Sequence, residues 1–164
     1  MMPTLAINKK ASFDYELLDK YEAGLVLFGH EVKSARDGQI NLSGSYISIR
    51  GAKNKRPQLY LVNANFSLYK MAKSIKDYNP SRDRQLLLHK KEIDSLLGKK
   101  QQTGLTLIPL KIYTNHSFIK LEFALARGKK KFDKRESIKK RELDRRLRTL
   151  TKRKTVPGDD RNRQ

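Results

Sequence analysis

Residues 117–126, SFIKLEFALA, alternate between apolar side chains and Lys120, Glu122 and Ala124. The apolar positions are Ile119, Leu121, Phe123 and Leu125. Successive side chains of a β-strand point to opposite faces, so this pattern predicts a strand with one buried face and one face open to water. The sequence TNHS at 114–117 predicts a hairpin turn from the preceding β-branched run at 104–113. The chain is therefore expected to build a sheet.

Three further runs have the β-branched and aromatic composition of strands and end at turn-rich sequences such as RDGQ and RGAKNKRP. These runs are YEAGLVLFG at 21–29, SYISIR at 45–50 and QLYLVNANF at 58–66. The sequence between Tyr69 and Arg84 has little periodicity and is expected to be a mobile loop.

Two segments favour short helices. The apolar residues of 89–100 share one helical face, and Gly98 is expected to end this helix. These residues are Ile93, Leu96 and Leu97. A shorter helical turn is expected over 31–38, ended by Gly38. Five or six short strands with one or two helices predict a mainly β protein, a small OB-fold-like barrel, although a compact mixed sandwich would show the same pattern.

Charge is distributed unevenly along the chain. Residues 127–164 contain 17 Lys and Arg against 6 Asp and Glu, whereas residues 1–126 contain 20 against 11. The last segment has too few large apolar residues to offset the entropy of ordering it alone. We therefore predict two parts, an RNA-binding barrel at 1–126 and a basic C-terminal tail at 127–164 that is disordered alone and helical when bound.

Overall composition narrows the class of protein further. A net charge of +20 on 164 residues strongly attracts polyanions, and nucleic acid is the expected partner. The chain has no cysteine, which excludes disulfides and thiolate metal sites and fits a reducing compartment. The opening MMPTLAINKK lacks the apolar core of a signal peptide, and no segment approaches the roughly 18 apolar residues of a membrane span. We expect a soluble, cytoplasmic protein with no membrane partner.

Signals of catalysis are weak. His30, His89 and His116 lie in unrelated contexts, and the sequence contains no HExxH, GxSxG or Gly-rich phosphate-binding motif. The adjacent Asp159 and Asp160 belong to a polar terminus that cannot preorganise a reaction. We therefore expect no catalytic residues, no metal site, no cofactor and no enzymatic activity.

The tail has a thin apolar stripe. Leu143, Leu147 and Leu150 follow i, i+4, i+7 spacing, and helical residues 133–154 would extend about 33 Å. Such a helix is marginal alone, so we expect it to form on an RNA or ribonucleoprotein surface. The absence of Trp or Phe on a broad apolar face argues against a membrane-surface helix.

Three sequence blocks resemble the successive signatures of the SmpB family, the SsrA-binding proteins of bacteria. They are EAGLVLFGHEVKSAR at 22–36, LLLHKKEI at 86–93 and ALARGKKKFDKR at 124–135, and the similarity extends over about residues 7–147. The resemblance implies an OB-fold barrel that binds the tRNA-like part of transfer-messenger RNA and brings it to ribosomes stalled on messages without a stop codon. It further implies trans-translation, in which an incomplete protein receives a degradation tag, with elongation factor Tu and alanyl-tRNA synthetase as indirect partners.

The resemblance also implies individual RNA-binding positions on the barrel. Asn8, Glu22, Leu87 and Lys120 match family positions associated with transfer-messenger RNA. Without the resemblance, the strand pattern predicts an RNA contact only for Lys120, because it is an outward-facing cation. Core packing is favoured for Leu87 from sequence alone, and a solvent-facing or structural ion-pair role remains the alternative for Glu22.

Basic residues outside these positions are expected to contact phosphates without reading sequence. They are Lys33, Arg36, Lys129, Lys130 and Lys131. In the tail, Asp133, Lys134 and Arg135 match the family's DKR motif, which implies a role in the ribosomal decoding centre and mRNA channel. Phe132 can stack on an unpaired base. Lys139, Lys140 and Arg141 are expected to contribute to the same ribosome contact, although a solvated, salt-bridging surface would have this composition too.

Two other functions are compatible with parts of this sequence. A ribosomal or assembly protein that binds ribosomal RNA permanently would have the same basic composition. An RNA-processing enzyme built on an OB-like body would need a clustered metal or acid–base site, for which the sequence offers no motif.

Overall fold

The computed structural model describes residues 2–51 and 53–154, which form nine strands and four helices. In chain order these are β1 (Thr4–Ile7), α1 (Ala11–Asp14), β2 (Tyr15–Leu25), α2 (Gly29–Arg36), β3 (Ile40–Asn41), β4 (Tyr46–Arg50), β5 (Gln58–Val62), β6 (Asn65–Phe66), β7 (Arg84–Leu87), α3 (Lys90–Lys100), β8 (Leu105–Asn115), β9 (Phe118–Gly128) and α4 (Lys131–Lys154).

Six strands close into a barrel. The ring runs β8–β4–β5–β7–β2–β9 and returns to β8, with every pair antiparallel. Strand β1 pairs with β8 outside this ring, and β3 and β6 form a separate two-stranded sheet. Closure confirms the predicted mainly β barrel and excludes the sandwich alternative, since a sandwich would leave two separate sheets.

The barrel interior is filled by the inward faces of the strands. The four apolar residues of the alternating segment, Ile119, Leu121, Phe123 and Leu125, are all buried. Leu96 of α3 joins this core, with Ile93 packed against it, so the predicted apolar face of that helix points inward. The hairpin between β8 and β9 turns at His116, which adopts a positive φ of 53°. Alternation therefore predicted the strand and its buried face, but Ala124, expected on the open face, is fully buried.

Some element boundaries differ from the sequence predictions. Gly38 follows α2 with a φ of 71° and donates its backbone N–H to Ala35 O, as predicted for a helix end. The prediction that Gly98 ends α3 is wrong, because the helix continues to Lys100. An exposed Gly inside a helix costs only about 1 kcal/mol relative to Ala, which flanking helix-forming residues tolerate. The left-handed turn falls instead at Gly104, with a φ of 82°.

Strand β2 begins earlier than predicted, at Tyr15, and ends at Leu25. Its first half pairs with the end of β9, from Tyr15 opposite Gly128 to Leu17 opposite Ala126. This part was missed because its polar residues gave no strand-like composition. Strands β1 and β7 were also not predicted, since four residues are too few for a clear period.

A buried carboxylate joins α2 to β7. Glu31 and Arg84 are both fully buried, and Arg84 donates from Nε at 3.1 Å and Nη2 at 2.8 Å to Glu31 Oε1. Arg82 donates to both oxygens of the carboxylate. The Tyr78 hydroxyl donates to Oε1 at 3.1 Å, and the Phe28 backbone N–H donates to Oε2 at 2.9 Å. We call these residues the Glu31 network.

The other donors of Arg84 are also satisfied. Its Nη atoms donate to the carbonyl oxygens of Ala64, Pro80 and Arg82, each at 2.9 Å, and its guanidinium lies 4.0 Å from the Phe66 ring centroid. Burial raises the pKa of Glu31, but the hydrogen bonds from Arg82 and Phe28 and the charge of Arg84 outweigh it and lower the pKa to about 2. The carboxylate is therefore charged at neutral pH, and the end of the 69–84 loop is fixed to the barrel.

The chain divides into two compact units, Met1–Gly128 and Lys129–Gln164. In the second unit, α4 is one continuous helix over the segment in which the leucine spacing predicts one. Asp133 accepts a hydrogen bond from the Lys130 backbone N–H at 3.3 Å, which satisfies a donor at the start of the helix. Leu143, Leu147 and Leu150 are exposed. That this helix forms only on a bound partner stays a prediction.

Replacing Glu31 by Gln is expected to destabilise the chain strongly. The variant keeps the shape of the side chain but leaves the buried Arg84 cation without its counter-charge, which costs about 3–5 kcal/mol of unfolding free energy. Urea denaturation followed by circular dichroism measures this difference. The matched control is Asp83→Asn, which removes an ion pair with Arg50. The Asp83 side chain is 37% exposed and the Arg50 side chain 49%, so this substitution should cost only about 0–1 kcal/mol.

The same variant should change the response to acid. The pKa of Glu31 falls from its ordinary value of 4.5 to about 2 on folding, so its contribution to stability is present above pH 4.5 and is lost as the pH falls towards 2. Glu31→Gln should lack this part of the acid sensitivity. Equal costs for the two variants at neutral pH would contradict a dominant role for the Glu31 network.

Candidate nucleic-acid interface

A continuous row of residues crosses four strands on the outer face of the barrel. Tyr113 of β8 lies opposite Lys120 of β9, Lys120 opposite Gly24 of β2, and Gly24 opposite Leu87 of β7. Residues directly opposite each other in antiparallel strands point to the same face, so the pairing alone brings these four positions together.

Gly24 leaves a gap in this row. A Cβ atom at this position would lie 3.4 Å from the Leu87 Cβ and 3.7 Å from its Cδ1. Leu87 and Lys120, on the two neighbouring strands, therefore flank a hollow of about 340 Å³. Its lining also includes Glu22, Ala23, Leu88, His89 and Glu92. We call this depression the Gly24 hollow.

Leu87 contributes an exposed apolar wall to the hollow. Its exposed fraction is 56%, whereas the neighbouring Leu86 is buried at 3%. The preference for core packing of Leu87 is therefore wrong, because β7 alternates and turns Arg84 and Leu86 inward. An unbroken LLL run hides this alternation in the sequence.

Glu22 carries a negative charge beside the hollow. Its carboxylate accepts hydrogen bonds from the Lys120 ammonium and the Tyr113 hydroxyl. The hydrogen bond from Lys120 and then that from Tyr113 lower the pKa of Glu22, against a smaller effect of burial. The structural ion pair considered for Glu22 is present, and its side chain is still 46% exposed. A ligand can therefore reach both charges of the pair.

The other predicted barrel residues do not line the Gly24 hollow. Asn8 donates from its side chain to Pro109 O at 3.0 Å and borders a separate cleft of about 430 Å³ between α1 and β8. Lys33 and Arg36 lie on the exposed face of α2. The Lys33 ammonium lies 5.6 Å from the Tyr69 ring centroid. The structure thus groups Glu22, Leu87 and Lys120 and leaves these three residues outside.

The predicted tail residues belong to the second unit. Lys129 and Lys134 are partly exposed there, and the exposed members are Lys130, Lys131, Phe132, Asp133, Arg135, Lys139, Lys140 and Arg141. Phe132 is 68% exposed, so its ring face is open to a stacking partner. Asp133 in addition has a local role at the start of α4.

Two residues of the row were missed by sequence reasoning. Gly24 inside a strand is a known indication of close backbone approach, and this signal was available in EAGL. Tyr113 ends a β-branched run and gave no signal, since its hydroxyl contact with Glu22 depends on the register of three strands.

Within residues 2–51 and 53–154, no group of three or more His, Asp or Glu side chains is placed to hold a metal ion. None of the helices described there is long and apolar enough to cross a membrane.

A closed barrel with a charged and apolar hollow on its strands, followed by a basic helical segment, defines a nucleic-acid-binding protein of the OB-like class. The family model described as SmpB protein matches residues 5–153. The chain therefore belongs to the SmpB family.

Similar proteins cover nearly the whole chain. An SsrA-binding protein of Thermosipho melanesiensis is 49% identical over 92% of this chain and 99% of the relative. One from Enterococcus faecalis is 45% identical over 89% of this chain and 92% of the relative. A solved structure described as "tmRNA-SmpB: a journey to the center of the bacterial ribosome" is similar with a TM-score of 0.62 at 42% identity, over 81% of this chain and 93% of that one.

Two adjacent leucines provide a test of the geometry of β7. Leu87→Ala should change the unfolding free energy by less than about 0.5 kcal/mol, because the side chain is already exposed. Leu86→Ala should cost about 2–5 kcal/mol, because it leaves a cavity in the core. Chemical denaturation of both variants measures the difference. Similar costs would show that the register of β7 is wrong and that Leu87 does not face the hollow.

Proposed function

We propose that this protein binds the tRNA-like part of transfer-messenger RNA and delivers that RNA to stalled ribosomes for trans-translation and tagging of incomplete proteins. One observation carries the proposal. Glu22, Leu87 and Lys120, three positions that the family associates with this RNA, lie far apart in the sequence and meet at the Gly24 hollow. The match to the SmpB family over residues 5–153 supports the same function.

The chemistry of the hollow suits an RNA surface with exposed bases. Lys120 attracts a phosphate without reading sequence. Glu22 accepts a hydrogen bond from a base N–H or a ribose 2′-hydroxyl, both of which RNA offers outside regular duplexes. Leu87 provides apolar contact for the face of a base or for a sugar. Asn8, Lys33 and Arg36 are proposed to make further RNA contacts elsewhere on the barrel. Lys129, Lys130 and Lys131 are proposed to contact the RNA from the second unit.

We assign the ribosome contact to the tail. In this proposal the barrel at 1–126 binds RNA, and the basic segment at 127–164 enters the decoding centre and the empty mRNA channel. The contacting residues are Phe132, Asp133, Lys134, Arg135, Lys139, Lys140 and Arg141. Their charge draws the tail along ribosomal RNA, and a channel filled by mRNA excludes it sterically. The proposal further places the protein in the cytoplasm, without enzymatic activity, and makes elongation factor Tu and alanyl-tRNA synthetase its indirect partners.

Replacing Lys120 by Glu should weaken binding of the tRNA-like RNA by roughly tenfold or more, equivalent to about 1.4 kcal/mol. The substitution reverses a charge at the hollow and places two carboxylates side by side. Fluorescence anisotropy with labelled RNA, repeated over a range of salt concentrations, measures the affinity and its salt dependence.

Lys53→Glu is the matched control, since Lys53 is exposed outside the hollow and the change in net charge is the same. It should retain most of the affinity. Equal losses of affinity in the two variants would show that Lys120 acts only through the net charge of the protein. An unchanged affinity for Lys120→Glu would show that Lys120 is not part of the RNA-binding site.

Substituting alanine at Asp133, Lys134 and Arg135 together should separate binding from activity. We expect nearly unchanged affinity for transfer-messenger RNA and loss of peptide tagging on stalled ribosomes, because this segment acts only in the ribosome. A reconstituted translation reaction on a message without a stop codon measures tagging. Normal tagging by the triple variant would contradict the assignment of the tail.

Asp133 also satisfies a donor at the start of α4, so helix formation needs its own control. Asp133→Asn keeps a capping side chain and should retain more helix than the triple variant.

High-salt washing of ribosomes distinguishes the rival function, since a delivery factor should leave the ribosome and a permanent ribosomal RNA-binding protein should remain.

A further inference from the structure

Tyr113 is the buried member of the row on the outer face of the barrel, and it contacts the charged pair at the hollow. Its side chain is almost fully buried, with 6% exposure, yet its hydroxyl donates a hydrogen bond to Glu22 Oε2. The Lys120 ammonium occupies the other oxygen of the same carboxylate. Glu22 is therefore held from two sides, by a partly exposed cation and by a buried phenol.

The strand order shows that the Tyr113 hydroxyl holds Glu22 from across an intervening strand. Tyr113 lies on β8 and Glu22 on β2, with β9 between them. Two strand spacings separate their backbones by roughly 10 Å, so the long tyrosine side chain is needed to reach across β9. On β9 the residue opposite Tyr113 is Lys120, and the residue opposite Glu22 is Glu122. The hydroxyl thus reaches Glu22 diagonally, past the base of the Lys120 side chain.

The tyrosine ring is itself held in place. The Lys111 ammonium lies 5.5 Å from the ring centroid and pairs with Glu122 at 3.1 Å. Lys20 approaches the other side of Glu122, at 3.8 Å. Burial, and then the hydrogen bond to Glu22, raise the pKa of Tyr113, so the phenol stays protonated and remains a donor.

This arrangement has a consequence for RNA binding. When a phosphate approaches, the Lys120 ammonium is attracted to it and its bond to Glu22 weakens. A glutamate held by Lys120 alone would then be free to rotate and would repel the phosphate. The Tyr113 hydroxyl keeps one oxygen fixed, so the other oxygen stays directed at the place where Lys120 was bound.

We propose that Tyr113 is a positioning residue, which holds the Glu22 carboxylate so that it accepts a hydrogen bond from a base N–H or ribose hydroxyl of the bound RNA. The inference rests on the proposed function, because it assigns Glu22 to recognition of the tRNA-like RNA. Phosphate contacts attract any RNA, whereas an oriented acceptor is satisfied only by a donor at one place. Tyr113 therefore contributes to discrimination between RNAs and little to general affinity.

The first test uses the free protein and no RNA. Tyr113→Phe keeps the buried ring and removes only the hydroxyl, so the pKa of Glu22, measured by NMR titration of its carboxyl carbon, should rise towards its ordinary value. Tyr60→Phe is the matched control, since the Tyr60 hydroxyl bonds to Gln58 on an exposed part of β5. It should leave Glu22 unchanged. An unchanged pKa of Glu22 in Tyr113→Phe would show that the Tyr113 hydroxyl does not hold the Glu22 carboxylate, and would contradict the inference.

The second test is a double-mutant cycle with Glu22→Ala, which removes the acceptor of the Tyr113 hydroxyl. Tyr113→Phe should weaken binding of the tRNA-like RNA by roughly three- to tenfold, less than the full value of a hydrogen bond to a charged group, because the carboxylate stays in place and only its orientation is lost. It should have little further effect when Glu22 is already Ala. Affinity for an unrelated folded RNA of equal length, and the slope of affinity against salt, should stay unchanged.

Two results of this cycle contradict the inference. Equal losses in both backgrounds, or an equal loss for the unrelated RNA, would show that Tyr113 acts only through the stability of the barrel. A failure of the proposed function looks different, because the unsubstituted chain would then fail to distinguish the two RNAs. The inference about recognition would fall with it, while the NMR result would still decide whether Tyr113 holds Glu22.

Discussion

The buried pair of Glu31 and Arg84 fixes the part of the barrel on which the hollow depends. Arg84 and Leu87 belong to the same four-residue strand, which lies between β5 and β2. Because a buried charge without its partner is strongly unfavourable, Arg84 must remain inside, opposite α2. Alternation then turns Leu87 outward beside Gly24. A polar contact in the interior thereby determines which apolar side chain reaches the outer surface at the Gly24 hollow.

The sequence predicted the features that local patterns encode. Alternation over 117–126 placed Lys120 outside and Phe123 inside, and both positions are confirmed. It could not predict the burial of Glu31, whose partner Arg84 lies 53 residues further along the chain. A charged side chain is ordinarily assigned to the surface, and only the folded topology supplies the counter-charge and carbonyl acceptors that make burial tolerable.

Prediction of the candidate site was limited in the same way. Glu22, Leu87 and Lys120 came from the family resemblance, and only Lys120 also came from its strand pattern. Their meeting at one hollow follows from the pairing of β9, β2 and β7, which no local pattern contains. The contact of Tyr113 with Glu22 involves a further strand, β8, so it can be identified only when the pairing of β8 with β9 is known.

The two units differ in how their order is maintained, and this difference suits the two separate tasks proposed for them. The barrel has a packed core and satisfied buried charges, so its hollow is already formed in the protein alone and a ligand would lose little entropy in ordering it. The tail has only a thin apolar stripe, so its helix gains little from its own packing, and its dependence on a bound partner stays a prediction. Under the proposed function, RNA affinity would remain constant in the barrel while the tail would make activity conditional on an empty channel.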